Sequence, residues 1–91
     1  MANVIVDLKV MPESPEVSLS KLKEEVKKKI ESFGGIVGRI EEEPIGFGLS
    51  ALIFTFNSPE SKSNLDPLEE AVKKIDGVSS AEVVSITRAF G

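Results

Sequence analysis

The residue types that most often carry catalysis are missing from this sequence of 91 residues. It contains no Cys and no His, so thiolate chemistry, disulfide bonds and histidine acid/base or metal chemistry are excluded. Most Asp and Glu residues lie beside Lys in helix-like segments, and nothing in the sequence indicates that two of them act as an acid/base couple. The run Glu41, Glu42 and Glu43 is a poor metal site, because successive strand residues point to opposite faces. We therefore predict a protein that is not an enzyme and that uses no cofactor and no metal.

One stretch has the composition of a binding element. It consists of Pro44, Ile45, Gly46, Phe47 and Gly48. A turn that only reverses the chain prefers two or three residues such as Asn-Gly, whereas this stretch holds an aromatic ring between two glycines. Two interpretations stay open: either the glycines present Phe47 to a partner, or their backbone freedom lets Phe47 fold back onto the core. Two glycines are too few for a phosphate-binding loop, so no nucleotide or small-molecule substrate of its own is predicted.

The net charge limits the class of partner. With 11 Lys and Arg against 15 Asp and Glu, the formal charge is −4. This balance argues against direct nucleic-acid binding, because neutralising phosphates requires a basic surface. An acidic chain more readily meets a basic or mixed protein surface.

No apolar run approaches the roughly 20 residues that span a bilayer, and the amino terminus has no signal-peptide pattern. We expect a cytoplasmic protein with a protein partner and no membrane association.

Hydrophobic periodicity predicts four strands. The first shows a strict alternation of apolar and other side chains, which is typical of a strand with one buried face. The predicted strands cover residues 4–10, 36–43, 49–56 and 79–88. Pro12 and Pro15 are expected to end the first strand, because proline cannot donate to a sheet ladder. The Ser-rich segment 57–64 is expected to form a polar loop.

Two helices are predicted between these strands. Ser18 is the expected N-cap of the first helix, which carries an apolar stripe at helical spacing and ends at Gly34. The second helix has Asp66 as its expected N-cap, with Glu69 three residues later to complete a capping box. Gly77 is its expected C-cap.

The order of these elements predicts the fold. Strand, helix, strand, strand, helix, strand is the α+β, ferredoxin-like βαββαβ sandwich, a four-stranded antiparallel sheet with two helices on one face. Right-handed crossovers place the first and third strands in the centre. The stretch around Phe47 then lies at the end of the sheet where the first strand finishes, and Arg88 lies at the other end, roughly 25 Å away at about 3.3 Å per residue. We expect two separate contacts on a large partner.

The run from Glu43 to Leu49, Glu-Pro-Ile-Gly-Phe-Gly-Leu, is followed by an apolar strand, a polar loop and a Leu-Glu-Glu helix. In this order the chain resembles translation elongation factor 1-beta, and the resemblance covers essentially its whole length. The short length, without a leader domain, resembles the archaeal form. The resemblance implies a single exchange-factor domain over residues 1–91.

Members of that family are guanine-nucleotide exchange factors for the GTPase elongation factor 1-alpha, which would be the partner. The resemblance implies that Phe47, between Gly46 and Gly48, enters a pocket on the second domain of the GTPase. Arg88 best matches the family's carboxy-terminal basic residue, which reaches toward the magnesium site, although the eukaryotic pattern has a Lys closer to the end. The implied partner-binding residues are Pro44, Ile45, Gly46, Phe47, Gly48 and Arg88.

Two other functions share this topology. One is a regulatory domain that dimerises through its sheet and binds an amino acid or a similar small molecule. The other is a structural protein of the ribosome. Calorimetry with free metabolites would detect the first, and co-sedimentation with ribosomes at high salt would detect the second.

Overall fold

The computed structural model describes residues 3–59 and 65–89. These residues form β1 (Asn3–Pro12), α1 (Leu19–Phe33), β2 (Ile36–Gly46), β3 (Leu49–Pro59), α2 (Asp66–Lys73) and β4 (Val78–Ala89). The strands pair in the order β2-β3-β1-β4, and each pair is antiparallel. The predicted ferredoxin-like fold is confirmed, with β1 and β3 in the centre of the sheet and β2 and β4 at its edges.

The core lies between the sheet and the helices, because one face of each central strand is apolar. In β1 and β3 the buried, directly opposed pairs are Val6 with Phe56, Leu8 with Phe54, and Val10 with Leu52. The helices complete this core with Leu22, Val26, Ile30, Leu68 and Val72. Burial of each side chain of this size contributes about 1.5–3 kcal/mol. A slip of one residue would move a whole strand's apolar set to the other face, so the core also fixes the register.

The first helix begins and ends as the sequence predicts. The hydroxyl of Ser18 accepts a hydrogen bond from a backbone N–H in the first turn of α1 at 3.3 Å, which is the N-cap interaction. Gly34 ends the helix in the left-handed region, with φ of 108°, where residues with a Cβ are strained. At Gly35 a Cβ would lie 2.8 Å from Ile30 Cγ2 and 2.9 Å from Phe56 Cδ2. Gly34 is thus needed for its left-handed backbone, and Gly35 is needed because there is no room for a Cβ beside Ile30 and Phe56.

The second helix differs from the prediction at both ends. Its N-cap is Leu65, whose carbonyl accepts the first helical hydrogen bond, and Asp66 is the first helical residue. Glu69 was predicted to reach back to the cap, but its Oε2 accepts a hydrogen bond from the backbone N–H of Val83 in β4 at 2.7 Å. The helix has only eight residues. Gly77, the predicted C-cap, has φ of 93° and lies in the turn that leads into β4.

All four strands run further than predicted, and β4 (Val78–Ala89) does so by one residue at each end. β1, β2 and β3 end at Pro12, Gly46 and Pro59. Pro12 is the last residue of its strand and Pro44 lies in an edge strand, where a missing N–H is tolerated. The first three residues of the predicted loop 57–64 therefore belong to β3. The remainder of that predicted loop, 60–64, lies outside the described residues.

Both edge strands carry irregularities. In β4 the register shifts between the pairs Leu8 with Val83 and Asp7 with Ser85, so Val84 is an extra residue, a β-bulge. A second shift lies near the start of β4, and β2 has two more. The central β1-β3 ladder runs from Asn3 to Val10 in a continuous register. Bulges in edge strands discourage pairing with the edge of another sheet.

Candidate partner-binding site

Phe47 stands at the tip of the β2-β3 hairpin. Gly46 pairs with Leu49, so only Phe47 and Gly48 connect the two strands. Their φ angles are 55° and 76°, positive at both turn positions as in the tight type I′ hairpin. The expectation that this stretch is not an ordinary hairpin is therefore wrong for the backbone. The connection is a two-residue turn that carries Phe at a position usually taken by Asn.

The side chain of Phe47 is 98% exposed. The interpretation in which this ring folds back onto the core is therefore excluded. Single exposed apolar residues are common, but Phe47 combines exposure with an unfavourable backbone. Within residues 3–59 and 65–89 it is the only non-glycine residue with a positive φ. Such a conformation costs roughly 1–2 kcal/mol for an L-residue, so the turn holds an aromatic side chain in water at the expense of stability.

The neighbours of Phe47 define the surface of this hairpin tip. Pro44 and Gly46 are exposed, and Ile45 is half-buried. Gly48 faces the loop that follows β1, because a Cβ at Gly48 would lie 3.6 Å from Cβ and Cγ of Pro15. The hairpin tip therefore lies at the end of the sheet where β1 finishes, as predicted.

The acidic run next to the tip is exposed. Glu42 Oε1 lies 2.8 Å from Lys23 Nζ of α1, and Glu41 Oε1 lies 2.8 Å from Arg39 Nε. Exposed ion pairs of this kind contribute about 0–1 kcal/mol, so these contacts add little to the stability of the fold. Among the described residues no group of three or more Asp and Glu side chains could hold a metal ion.

Arg88 lies at the opposite end of the sheet. Its backbone pairs with Val4, which in turn pairs with Ser58 at the far end of β3. The nine steps from Ser58 to Leu49 span roughly 30 Å at about 3.3 Å per residue. The topological prediction that the two ends cannot form one compact site is confirmed. This estimate is longer than the roughly 25 Å predicted, because β3 continues past Phe56 to Pro59.

The exposed apolar side chains of β4 were missed by the sequence analysis. Val84 and Ile86 are 50% and 55% exposed. Ile86 stands opposite Val6, a core residue, but is not covered as Val6 is. The β-branched run of β4 predicts a strand and gives no signal of how much of that strand the helices cover. The end of the sheet that carries Arg88 therefore presents apolar surface as well.

A groove of about 520 Å³ lies between α1 and α2. Its walls include Lys28 and Lys29 of α1 and Lys74 after α2. Phe47 does not line this groove, so the groove is separate from the predicted contact at the hairpin tip. In the described part of the chain no helix is long and apolar enough to cross a membrane.

The family model of the EF-1 guanine nucleotide exchange domain matches residues 5–89. The chain belongs to this family. Elongation factor 1-beta of Sulfurisphaera tokodaii is 49% identical over 89 residues, which cover 97% of each chain. Elongation factor 1-beta of Methanococcus vannielii is 40% identical over 87 residues, which cover 96% of this chain and 98% of the relative. The resemblance to the archaeal form of elongation factor 1-beta is thereby confirmed.

Solved structures support the fold independently. The ACT domain from GTP pyrophosphokinase of Chlorobium tepidum superimposes with a TM-score of 0.62 at 14% identity, covering 90% of this chain and 99% of that one. The C-terminal domain of the MgtC protein from Mycobacterium tuberculosis gives a TM-score of 0.60 at 14% identity, covering 98% and 88%. At this identity the likeness shows a shared fold and no shared function.

Proposed function

We propose that this chain, as one exchange domain over residues 1–91, promotes GDP release from elongation factor 1-alpha and so its loading with GTP. The observation that carries the proposal is the match of the exchange-domain family to residues 5–89. The similarity to archaeal elongation factor 1-beta over nearly the full length supports it. Exchange requires no covalent step, which suits a sequence that contains neither Cys nor His.

The mechanism follows from thermodynamic linkage. GDP and Mg²⁺ hold the loops of a GTPase through phosphate and metal contacts. A protein that binds the nucleotide-free shape more tightly must lower the affinity for GDP by the same factor. The exchange factor therefore needs surface that fits one state of its partner better than the other, and it needs no catalytic residue of its own.

The hairpin tip supplies the first contact in this proposal. An aromatic side chain that is 98% exposed can be buried in a pocket of the partner without any change in the core. Such anchors carry a large share of interface energy. Pro44, Ile45, Gly46 and Gly48 shape the backbone that holds Phe47 away from the sheet. We assign this contact to the second domain of the GTPase.

The end of the sheet that carries Arg88 supplies the second contact. A guanidinium placed near the metal site disfavours Mg²⁺ by charge repulsion, and loops pulled from the phosphates release GDP faster. The two contacts lie roughly 30 Å apart along the sheet, in a molecule whose longest dimension is 42 Å. This span suits a bridge between two domains of the partner.

Release of a fluorescent GDP analogue from purified elongation factor 1-alpha tests the proposal. The GTPase is preloaded with the analogue and chased with excess GDP, with and without a catalytic amount of this chain. We expect faster release and many turnovers per molecule of added protein. An unchanged release rate at both catalytic and equimolar amounts would overturn the proposal. An unrelated domain of the same fold serves as the control.

A further inference from the structure

A charge-assisted hydrogen bond links α2 to β4. Oε2 of Glu69 accepts the backbone N–H of Val83 at 2.7 Å in a partly buried setting. Glu69 itself is half-buried, whereas Glu70, the next residue of the helix, is exposed. Hydrogen bonds from a neutral N–H to an ionised carboxylate are stronger than those between neutral groups. The helix is thereby tied to one defined point of the edge strand.

That point is where the register of β4 changes. Leu8 pairs with Val83 and Asp7 with Ser85, which leaves Val84 as the bulged residue. The residue whose amide Glu69 binds is therefore the last one before the bulge. An extra residue in an edge strand locally disrupts the ladder, and a fixed acceptor on the neighbouring helix keeps the disruption in one place.

The bulge sets the register in which the rest of β4 pairs with β1. With Val84 looped out, Arg88 pairs with Val4. If Val84 instead paired with Asp7 and the strand continued without a bulge, Thr87 would oppose Val4 and Arg88 would oppose Asn3. A slip of one residue transfers each residue of a strand to the other face of the sheet. The position of Arg88 thus depends on a residue four positions before it.

We propose that Glu69 is a positioning residue for nucleotide exchange. By holding Val83, it keeps the bulge at Val84 and so fixes the face of the sheet from which the carboxy-terminal part of β4, including Arg88, meets the partner. The proposal rests on the proposed function, because it assigns a role within the second contact. Glu69 itself does not touch the GTPase.

The first test compares Glu69→Ala with two reference variants. We expect Glu69→Ala to lower the maximal rate of GDP release by about tenfold to hundredfold, which is the effect of one lost charge-assisted hydrogen bond on a rate. The concentration of exchange factor that gives half the maximal rate should stay the same, because the hairpin tip is unaltered. Glu69→Gln keeps an acceptor oxygen and should restore most of the rate. Glu70→Ala should behave as the unaltered chain.

The second test removes the bulge itself. Deletion of Val84 leaves Val83 opposite Leu8 and Ser85 opposite Asp7, so Arg88 stays opposite Val4. This variant has no bulge for Glu69 to keep in place. In this background Glu69→Ala should no longer slow GDP release. An equal loss in both backgrounds, or a loss of exchange on deletion of Val84 with the pairing retained, would overturn the proposal. This pair of variants also provides the test if Glu69→Ala alone proves unfolded in a melting curve.

Nuclear Overhauser contacts between Val4 and Arg88 give a readout that does not depend on the GTPase. We expect these contacts in the unaltered chain and in Glu69→Gln, and their loss in Glu69→Ala. If the unaltered chain fails to accelerate GDP release, the proposed function fails, while a change of register in Glu69→Ala still supports the role of Glu69 in β4. If Glu69→Ala keeps both the Val4–Arg88 pairing and the full release rate, the proposed role of Glu69 fails and the proposed function of the chain is unaffected.

Discussion

Phe47 combines two features, and neither of them stabilises the fold. Its ring gains nothing from the core, since 98% of it is exposed, and its backbone lies at φ of 55°. Either Gly or Asn would be better suited to that backbone conformation. The folded chain alone therefore gives no reason for a Phe at this position, whereas the proposed contact with the GTPase does.

We predict that Phe47→Ala weakens the affinity for elongation factor 1-alpha by about 2–4 kcal/mol, the usual effect of removing a central aromatic anchor. The melting temperature should remain unchanged, because the ring makes no core contact. Titration calorimetry and a melting curve measure the two effects. Phe47→Asn is the matched control, because Asn tolerates the left-handed backbone and also lacks the ring. Full affinity in both variants would remove Phe47 from the interface.

Arg88→Ala should slow GDP release more than it weakens binding, because a cation near the metal site acts on nucleotide affinity and less on docking. Arg88→Lys keeps the charge but replaces the planar fork with a compact ammonium group, so it separates charge from shape. For each variant, release of a fluorescent GDP analogue measures the exchange rate and calorimetry measures the affinity for the GTPase. Equal release with Arg88→Ala and the unaltered chain would exclude the role of Arg88.

At the scale of secondary structure, the join between α1 and β2 has no spare space. The Cβ added by Gly35→Ala would lie within 3 Å of Ile30 and Phe56 side-chain atoms. We predict that this variant is destabilised by about 1–3 kcal/mol, as for other overpacked core sites. Gly38→Ala is the control, since the nearest atom to its added Cβ is a carbonyl oxygen of Thr55 at 3.7 Å. Denaturant unfolding curves compare the two, and an equally large loss in Gly38→Ala would show that space at Gly35 is not the cause.

Order and type of the elements could be predicted because each has a local pattern with one physical cause. The period of two in β1 arises because one face of the strand is buried. The hydroxyl of Ser18 accepts a hydrogen bond from an amide only three residues later in α1. Such signals involve residues close together in sequence. They are present before any tertiary contact forms.

Contacts between distant segments could not be predicted in the same way. An acid three residues after a helix start predicts a capping box, and nothing near Glu69 in the sequence shows that β4 passes within its reach. The bulge at Val84 likewise has no local signal, because any β-branched residue suits either register. The exposure of Phe47 also required the structure, since two glycines permit both of the interpretations that the sequence left open.

At the scale of the whole molecule, the two proposed contacts lie on opposite ends of one continuous sheet. Sites more than about 10 Å apart that share no neighbours contribute independently, within about 0.5 kcal/mol. We therefore predict that the losses in exchange efficiency caused by Phe47→Ala and Arg88→Ala add in the double variant. The free-energy change for each is obtained from kcat/KM of the exchange reaction.

A second pair of variants calibrates that measurement. Ile45→Ala and Phe47→Ala lie within one hairpin and should deviate from additivity, because both act on the same contact. A comparable deviation for Phe47 and Arg88 would mean that the two ends meet the partner at one place, which contradicts the bridge.

The uncovered end of β4 bears on how the complex comes apart. Ile86 and Thr87 are exposed, and among the described residues this part of the strand pairs with β1 alone. Edge segments with few buried contacts open at a lower free energy than the centre of a sheet. Part of the energy gained at the second contact is therefore expected to be used in ordering this segment. An exchange factor works in repeated rounds, and a contact that holds only moderately lets the loaded GTPase depart.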